Sequence, residues 1–307
     1  MNPRALTSGL ILFLVAACAS TSTSAPAQPT SRSAPSSTTP PVVTHVQLDL
    51  VDTSRPAVDP ASERSAPTRA LPTELYLPAT TEPRPLILFA HGYGGDPSKF
   101  TQLFGHWADA GFVVAAPKFP ITYTGADSVG LTRAGDLGEQ PADLAYVLDQ
   151  ILAGKYRDRI DTQRIGAAGL SLGGGTIWGF IADPCCVDQR IVAAIVMDGN
   201  PFGYQNVEQL ATQMPLLVYH ADQDPALPFE SAYQSYTAAG APKWFITIFG
   251  ALHAQPFEDS EAAADAMVMD TSTRFWRGTL LGDTRALDGL VPAGTVPDVS
   301  TAEAAKN

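Results

Sequence analysis

The run Gly169-Leu170-Ser171-Leu172-Gly173 follows directly on the apolar segment Arg164-Ile165-Gly166-Ala167-Ala168. A Gly-x-Ser-x-Gly placed between a short buried strand and a helix predicts a sharp turn that lifts the serine oxygen above a sheet. Glycine is required at both flanks because a Cβ there would meet neighbouring backbone. A serine hydroxyl alone is a weak nucleophile, so the pattern has chemical meaning only beside a base, an acid and donors for an oxyanion. Gly-x-Ser-x-Gly also occurs in chains without that chemistry. The placement of the other groups decides.

Short apolar runs alternate with amphipathic stretches along the chain, which predicts a βα series and a largely parallel sheet. Residues 42–51 and 71–77 read as opening antiparallel strands, 86–90 as the first buried strand and 112–116 as the next. The helix expected over 97–110 carries Phe100, Leu103, Phe104 and Trp107 at helical spacing; that over 141–152 carries Leu144, Val147, Leu148 and Ile151 on one face. Residues 191–197, 216–219 and 245–249 read as the last three strands, 258–281 as the closing helix and 286–290 as a short apolar turn. Residues 118–140 lack periodicity and read as a functional loop forming one wall of a cleft. No internal repeat is visible. The expected organisation is one domain over 42–290 and a flexible tail over 291–307.

Loops at the carboxyl ends of parallel strands converge on one edge of a sheet, where ligands bind. Of the five histidines, only His253, in the loop after the last of these strands, follows both the serine and the candidate acids. His45 lies on an outer strand, His106 on a helix face, and His220 at the end of a strand just before the acids. The loop after 216–219 offers Asp222 and Asp224. The Asp224-Pro225-Ala226-Leu227-Pro228 pattern favours Asp224 as the carboxylate that would orient the imidazole, leaving Asp222 to cap a turn or helix. For the oxyanion, two main-chain N–H groups are needed. Leu172, directly after the serine, supplies one, and Tyr93 in His91-Gly92-Tyr93-Gly94-Gly95 supplies the other, with His91 bracing that loop.

A formal charge of −12 argues against a nucleic-acid partner, since phosphate binding needs clustered Lys and Arg. At the N-terminus, Arg4 precedes the apolar stretch 9–17, too short to span a bilayer as a mature helix, so residues 1–18 read as a signal peptide. Its end, Val15-Ala16-Ala17-Cys18, has the form of a lipobox and predicts lipidation at Cys18 of an exported cell-envelope lipoprotein; plain secretion is the alternative. Residues 19–41, almost wholly Ser, Thr, Ala and Pro, read as a disordered tether. Cys185 and Cys186 are adjacent and can form only a vicinal bridge, or remain two buried thiols. They lack the spacing of a zinc site.

With these pieces in order, the chain resembles an α/β-hydrolase, and within that superfamily the bacterial polyester hydrolases (cutinase-like) and platelet-activating-factor acetylhydrolases. The resemblance runs over about 71–290. It rests on Gly92-Tyr93 before a long helix, Gly111-Phe112-Val113-Val114, Ile160-Asp161-Thr162-Gln163-Arg164-Ile165-Gly166 leading into the serine motif, and Asp224-Pro225-Ala226-Leu227-Pro228. It implies a mostly parallel sheet of about eight strands with helices on both faces. It also implies ester hydrolysis through an acyl-enzyme on Ser171, without metal or cofactor. Those polyester hydrolases carry Trp or His before the nucleophile where this chain has Leu170, so esters of small to medium acyl groups, lipid esters among them, are the expected substrates. A non-catalytic binding lipoprotein on the same fold, an amidase and a polyester hydrolase are the rival readings.

Overall fold

The computed structural model describes residues 42–62, 64–123, 130–204, 214–260 and 262–305. The expected signal peptide with Cys18 and the tether over 19–41 lie outside these residues. One sheet of nine strands organises the described chain, one strand more than the eight or so expected. In chain order the strands are β1 (Thr44–Asp52), β4 (Arg69–Leu77), β5 (Arg84–Ala90), β6 (Val113–Pro117), β7 (Ile160–Leu170), β8 (Ile191–Met197), β9 (Leu216–Ala221), β10 (Lys243–Ile248) and β11 (Ser300–Ala305). The two-residue strands β2 (Ala57–Val58) and β3 (Ser65–Ala66) form a separate small pair. Across the sheet the order is β1-β4-β6-β5-β7-β8-β9-β10-β11. The six central strands pair in parallel, whereas β1–β4, β4–β6 and β10–β11 are antiparallel.

Side chains alternate across a strand, and the central strands are apolar on both faces. Leu86, Leu88, Ile165, Ala167, Ala194, Val196 and Val218 point to one layer. There they pack on α2 (Gln140–Ala153), α3 (Leu172–Ala182) and α4 (Phe229–Ala238). Ile87, Phe89, Ala168, Leu170, Ile195, Met197 and Leu217 point to the other, against α1 (Thr101–Asp109) and α5 (Ala263–Leu281). Two short helices, α6 (Thr284–Asp288) and α7 (Leu290–Gly294), follow α5. All four tryptophans, Trp107, Trp178, Trp244 and Trp276, are buried in these layers.

The C-terminal segment differs from expectation. Residues 300–305 are not a flexible tail but strand β11, in register with β10 from Ser300↔Ile248 to Ala305↔Lys243. The Ser300 hydroxyl also donates to the Gly294 carbonyl at 2.8 Å. An edge strand is held by its main chain, so Ser-Thr-Ala-Glu-Ala-Ala pairs despite carrying no strong apolar pattern.

The segment expected to wall a cleft is also more regular than its sequence suggests. Gly130–Glu139 forms a 3-10 helix leading into α2. It is fastened from beneath by the buried Arg69, whose guanidinium binds both carboxylate oxygens of Asp136, at 3.0 and 2.9 Å, and both of Asp143, at 2.7 Å each. Cys185 and Cys186 form the vicinal disulfide in the turn after α3, where Cys185 is exposed and Cys186 half-buried; they are not a pair of buried thiols.

Candidate active site

Strand β7 delivers Ser171 to the carboxyl edge of the sheet, and α3 carries the chain away. Ser171 takes the turn at φ 57° and ψ −117°, a region non-glycine residues seldom occupy outside functional sites. The flanking glycines permit it: a Cβ on Gly169 would come within 2.4 Å of the Gly173 carbonyl oxygen, and one on Gly173 within 2.1 Å of that of Ala90. The Ser171 N–H donates to the Met197 carbonyl at 2.9 Å, carrying the β7–β8 ladder up to the serine.

His253 stands in the loop after β10 and Asp224 in the loop after β9. The imidazole Nε2 lies 2.7 Å from Ser171 Oγ and Nδ1 lies 2.6 Å from Asp224 Oδ2. A carboxylate only accepts, so Nδ1 carries the hydrogen and Nε2 is left to accept from the serine hydroxyl. The Asp224 side chain is fully buried, and its other oxygen, Oδ1, accepts from the N–H groups of Ala226 and Leu227 at 2.7 and 3.0 Å. Here the Asp224-Pro225-Ala226-Leu227 pattern has a physical basis: the turn supplies donors that hold the carboxylate on the histidine. Asp222 does not reach His253. It accepts from the Gly250 N–H at 2.7 Å and so ties the loop after β9 to the loop after β10, a link between loops rather than a cap.

The loop after β5 runs against Ser171, since a Cβ on Gly92 would lie 3.1 Å from Ser171 Cβ. Tyr93 follows in this loop, and Gly94 donates to the Thr122 carbonyl at 2.7 Å. Leu172 opens α3, where helix geometry leaves its N–H without an intrahelical partner. The buried His91 braces this region: Nδ1–H donates to the Gly92 carbonyl at 2.8 Å, and Nε2 accepts from the Phe119 N–H at 3.1 Å. Burial lowers its pKa to about 4, so it is a neutral strut.

The sequence reading overlooked Asp198, at the end of β8. This fully buried carboxylate accepts from the Ala221 N–H through Oδ1 at 2.8 Å and from the Ala254 N–H through Oδ2 at 3.3 Å. It thereby links strand β9 to the residue beside His253. Both Asp198, at φ 41°, and Ala254, at φ 66°, hold the left-handed conformation. Burial first, then the neighbouring Asp224 carboxylate, raise the Asp198 pKa to about 8 against those N–H bonds. An aspartate directly after a buried parallel strand was the available signal. His220 is buried behind the acids and its Nε2–H donates to the Leu227 carbonyl at 3.0 Å, so it supports the Asp224 turn.

Asp198, Asp224 and His253 place potential ligand atoms within 4.8 Å of one another. Their atoms are already engaged in the N–H and imidazole bonds just described. A second such group, Asp183, Cys185 and Cys186, has its two sulfurs joined to each other and offers no thiolate.

A strand-turn-helix serine, a histidine and an aspartate from successive loops, and a mostly parallel sheet define an α/β-hydrolase. The chain belongs to the Chlorophyllase family, whose model matches residues 44–215, more than half of the chain; it is an ester hydrolase. Among solved structures, a ferulic acid esterase from Streptomyces cinnamoneus shares the fold, with a TM-score of 0.63 and 21% identity over 81% of this chain and 93% of that one. No curated protein matches the chain.

Proposed function

We propose that the protein hydrolyses carboxylic esters of small to medium acyl groups through an acyl-enzyme on Ser171. The observation that carries this reading is the continuous hydrogen-bond chain Ser171–His253–Asp224, at 2.7 and 2.6 Å. In this reading Ser171 Oγ attacks the ester carbonyl as its proton passes to His253 Nε2. Asp224 holds the ring and stabilises the imidazolium, and the N–H groups of Tyr93 and Leu172 receive the oxyanion. His253 then protonates the departing alcohol. Water, activated by the same imidazole, releases the acid and restores the serine. Side chains at the rim support an apolar ester: Leu252, next to His253, is 53% exposed, and Phe202, in the loop after β8, is 46% exposed. With Cys18 lipidated, the enzyme would work from the cell envelope.

The test is labelling by a fluorophosphonate probe, with hydrolysis of p-nitrophenyl esters of rising acyl length. The adduct is expected on Ser171. Ser171→Ala should lose about 10³-fold or more in kcat, and rates should peak at short to medium chains. Undiminished turnover in Ser171→Ala would remove the nucleophile and point to a different catalytic group, and a wild type that takes no label and turns over no ester would leave a binding protein. Preference for anilides over esters would make it an amidase. Lipidation is read separately, from a fatty-acid mass increment on wild type that Cys18→Ala lacks.

A further inference from the structure

Beneath the cleft, Gln140 is fully buried at the first position of α2. Both ends of its amide are engaged. Nε2 donates to Thr122 Oγ1 at 2.9 Å, and Oε1 accepts from the hydroxyl of Thr176. Each partner sits directly behind one half of the site. Thr122 accepts the Gly94 N–H through its carbonyl, and its neighbour Tyr123 bridges to Gly95, so residues 122–123 are the backing of the loop that carries Tyr93. Thr176 lies one turn along α3 from Leu172, with Oγ1 3.1 Å from the Leu172 carbonyl. Thr122 and Thr176 are themselves buried. With all three side chains buried, each lost partner would leave a buried polar group unsatisfied.

We propose that Gln140 is a positioning residue for the oxyanion site: its amide fixes the spacing between the Tyr93 loop and the start of α3, and hence between the two N–H donors. This rests on the acyl-enzyme reading above. Oxyanion donors act by being held in place before charge develops, at about 2.7–3.1 Å from the position the oxygen will take. Displacement by a fraction of an ångström weakens the transition state while leaving ground-state binding largely intact. Gln140 touches no substrate atom; it acts through the two threonines.

The experiment compares Gln140→Met, which keeps length and loses both hydrogen bonds, with Thr122→Val and Thr122→Ser. Active sites are counted by fluorophosphonate titration so that unfolded protein does not enter kcat. For Gln140→Met, kcat on p-nitrophenyl butyrate should fall about 10- to 100-fold with KM within threefold. Affinity for a trifluoromethyl ketone, whose adduct carries the oxyanion, should weaken by a similar factor. Thr122→Val should follow in part, and Thr122→Ser, which keeps the hydroxyl, should restore wild-type kcat. A folded Gln140→Met with kcat within twofold of wild type overturns the proposal. Should that variant not fold, equal kcat for Thr122→Val and Thr122→Ser overturns it instead. Failure of the underlying reading shows elsewhere, in a wild-type protein without esterase activity or a Ser171→Ala variant that retains it.

Discussion

Asp198 Oδ2 stands 3.9 Å from His253 Nδ1, the same nitrogen that Asp224 Oδ2 holds at 2.6 Å. Two buried carboxyl groups therefore flank one imidazole, but only Asp224 is hydrogen-bonded to it. Asp198 spends its oxygens on main-chain N–H groups on either side. Asp224 orients the imidazole directly, and Asp198 holds the backbone that carries it.

The three aspartates around His253 should separate by kinetics. Asp224→Asn turns an obligatory acceptor into a group that can present N–H to Nδ1, and kcat should fall about 10³- to 10⁴-fold. Asp222→Asn keeps an oxygen for Gly250 and should stay within about fivefold of wild type. Asp198→Asn retains an acceptor for only one of its two N–H partners and should fall between them. Steady-state kinetics on one p-nitrophenyl ester decides the order, and a larger loss from Asp222→Asn than from Asp224→Asn would reassign the acid.

The raised pKa of Asp198 has a consequence for stability. The unfolded chain releases this proton near the ordinary aspartate value of 3.8, whereas the folded protein keeps it to about 8. Between those values the native state binds more protons than the unfolded state, so this group's contribution declines as pH rises. The slope is at most about 1.4 kcal/mol per pH unit, and it levels off above pH 8. Asp198→Asn, which cannot ionise, should gain in Tm relative to wild type as pH is raised from 5 to 8. Thermal melts across that range test it; parallel curves for the two proteins would mean that the carboxyl is not protonated in the fold.

Arg69 lies fully buried between Asp136 and Asp143. In Arg69→Met, Asp143 still has Arg55 at 2.6 Å, whereas Asp136 loses the guanidinium that held both its oxygens. Breaking a buried pair from one side costs about 3–5 kcal/mol, and replacing both partners by apolar groups costs far less. Arg69→Met should therefore lower the unfolding free energy strongly, and adding Asp136→Leu should recover part of the loss. Chemical denaturation of the single and double variants measures it, with no recovery counting against the assignment.

Deleting residues 299–307 removes β11 and leaves β10 as an open edge from Lys243 to Ile248. Unpaired edge strands promote association. The truncated protein should melt at lower temperature and form oligomers on size-exclusion chromatography as concentration rises. An unchanged, monodisperse product would show that β11 contributes little.

Most of the sheet was legible because its central strands are continuous apolar runs such as Leu86-Ile87-Leu88-Phe89-Ala90, which declare burial on both faces. The helices over 97–110 and 141–152 were legible from their apolar spacing and agree with the observed Pro97–Phe100, Thr101–Asp109 and Gln140–Ala153 within a residue or two. Segments held by main-chain pairing or by a polar network were not. β11 has no apolar signature, and the wall Gly130–Glu139 is fastened by Arg69, a residue some 67 positions away from Asp136. Helix α4 went unread because its apolar face is short and mixed with Glu230, Ser231 and Gln234.

The sequence by itself determined the order of serine, acid and base along a βα series, because periodicity and turn chemistry are local consequences of residue type. It also singled out Asp224 over Asp222 through the turn that follows it. Only the tertiary structure decided that Asp198 lies against the same histidine, that Gln140 joins Thr122 to Thr176, and that the last strand closes the sheet. Those relations are distances between side chains far apart in the chain. They are set by how strands stack and loops converge at one edge, which no spacing in a single sequence encodes.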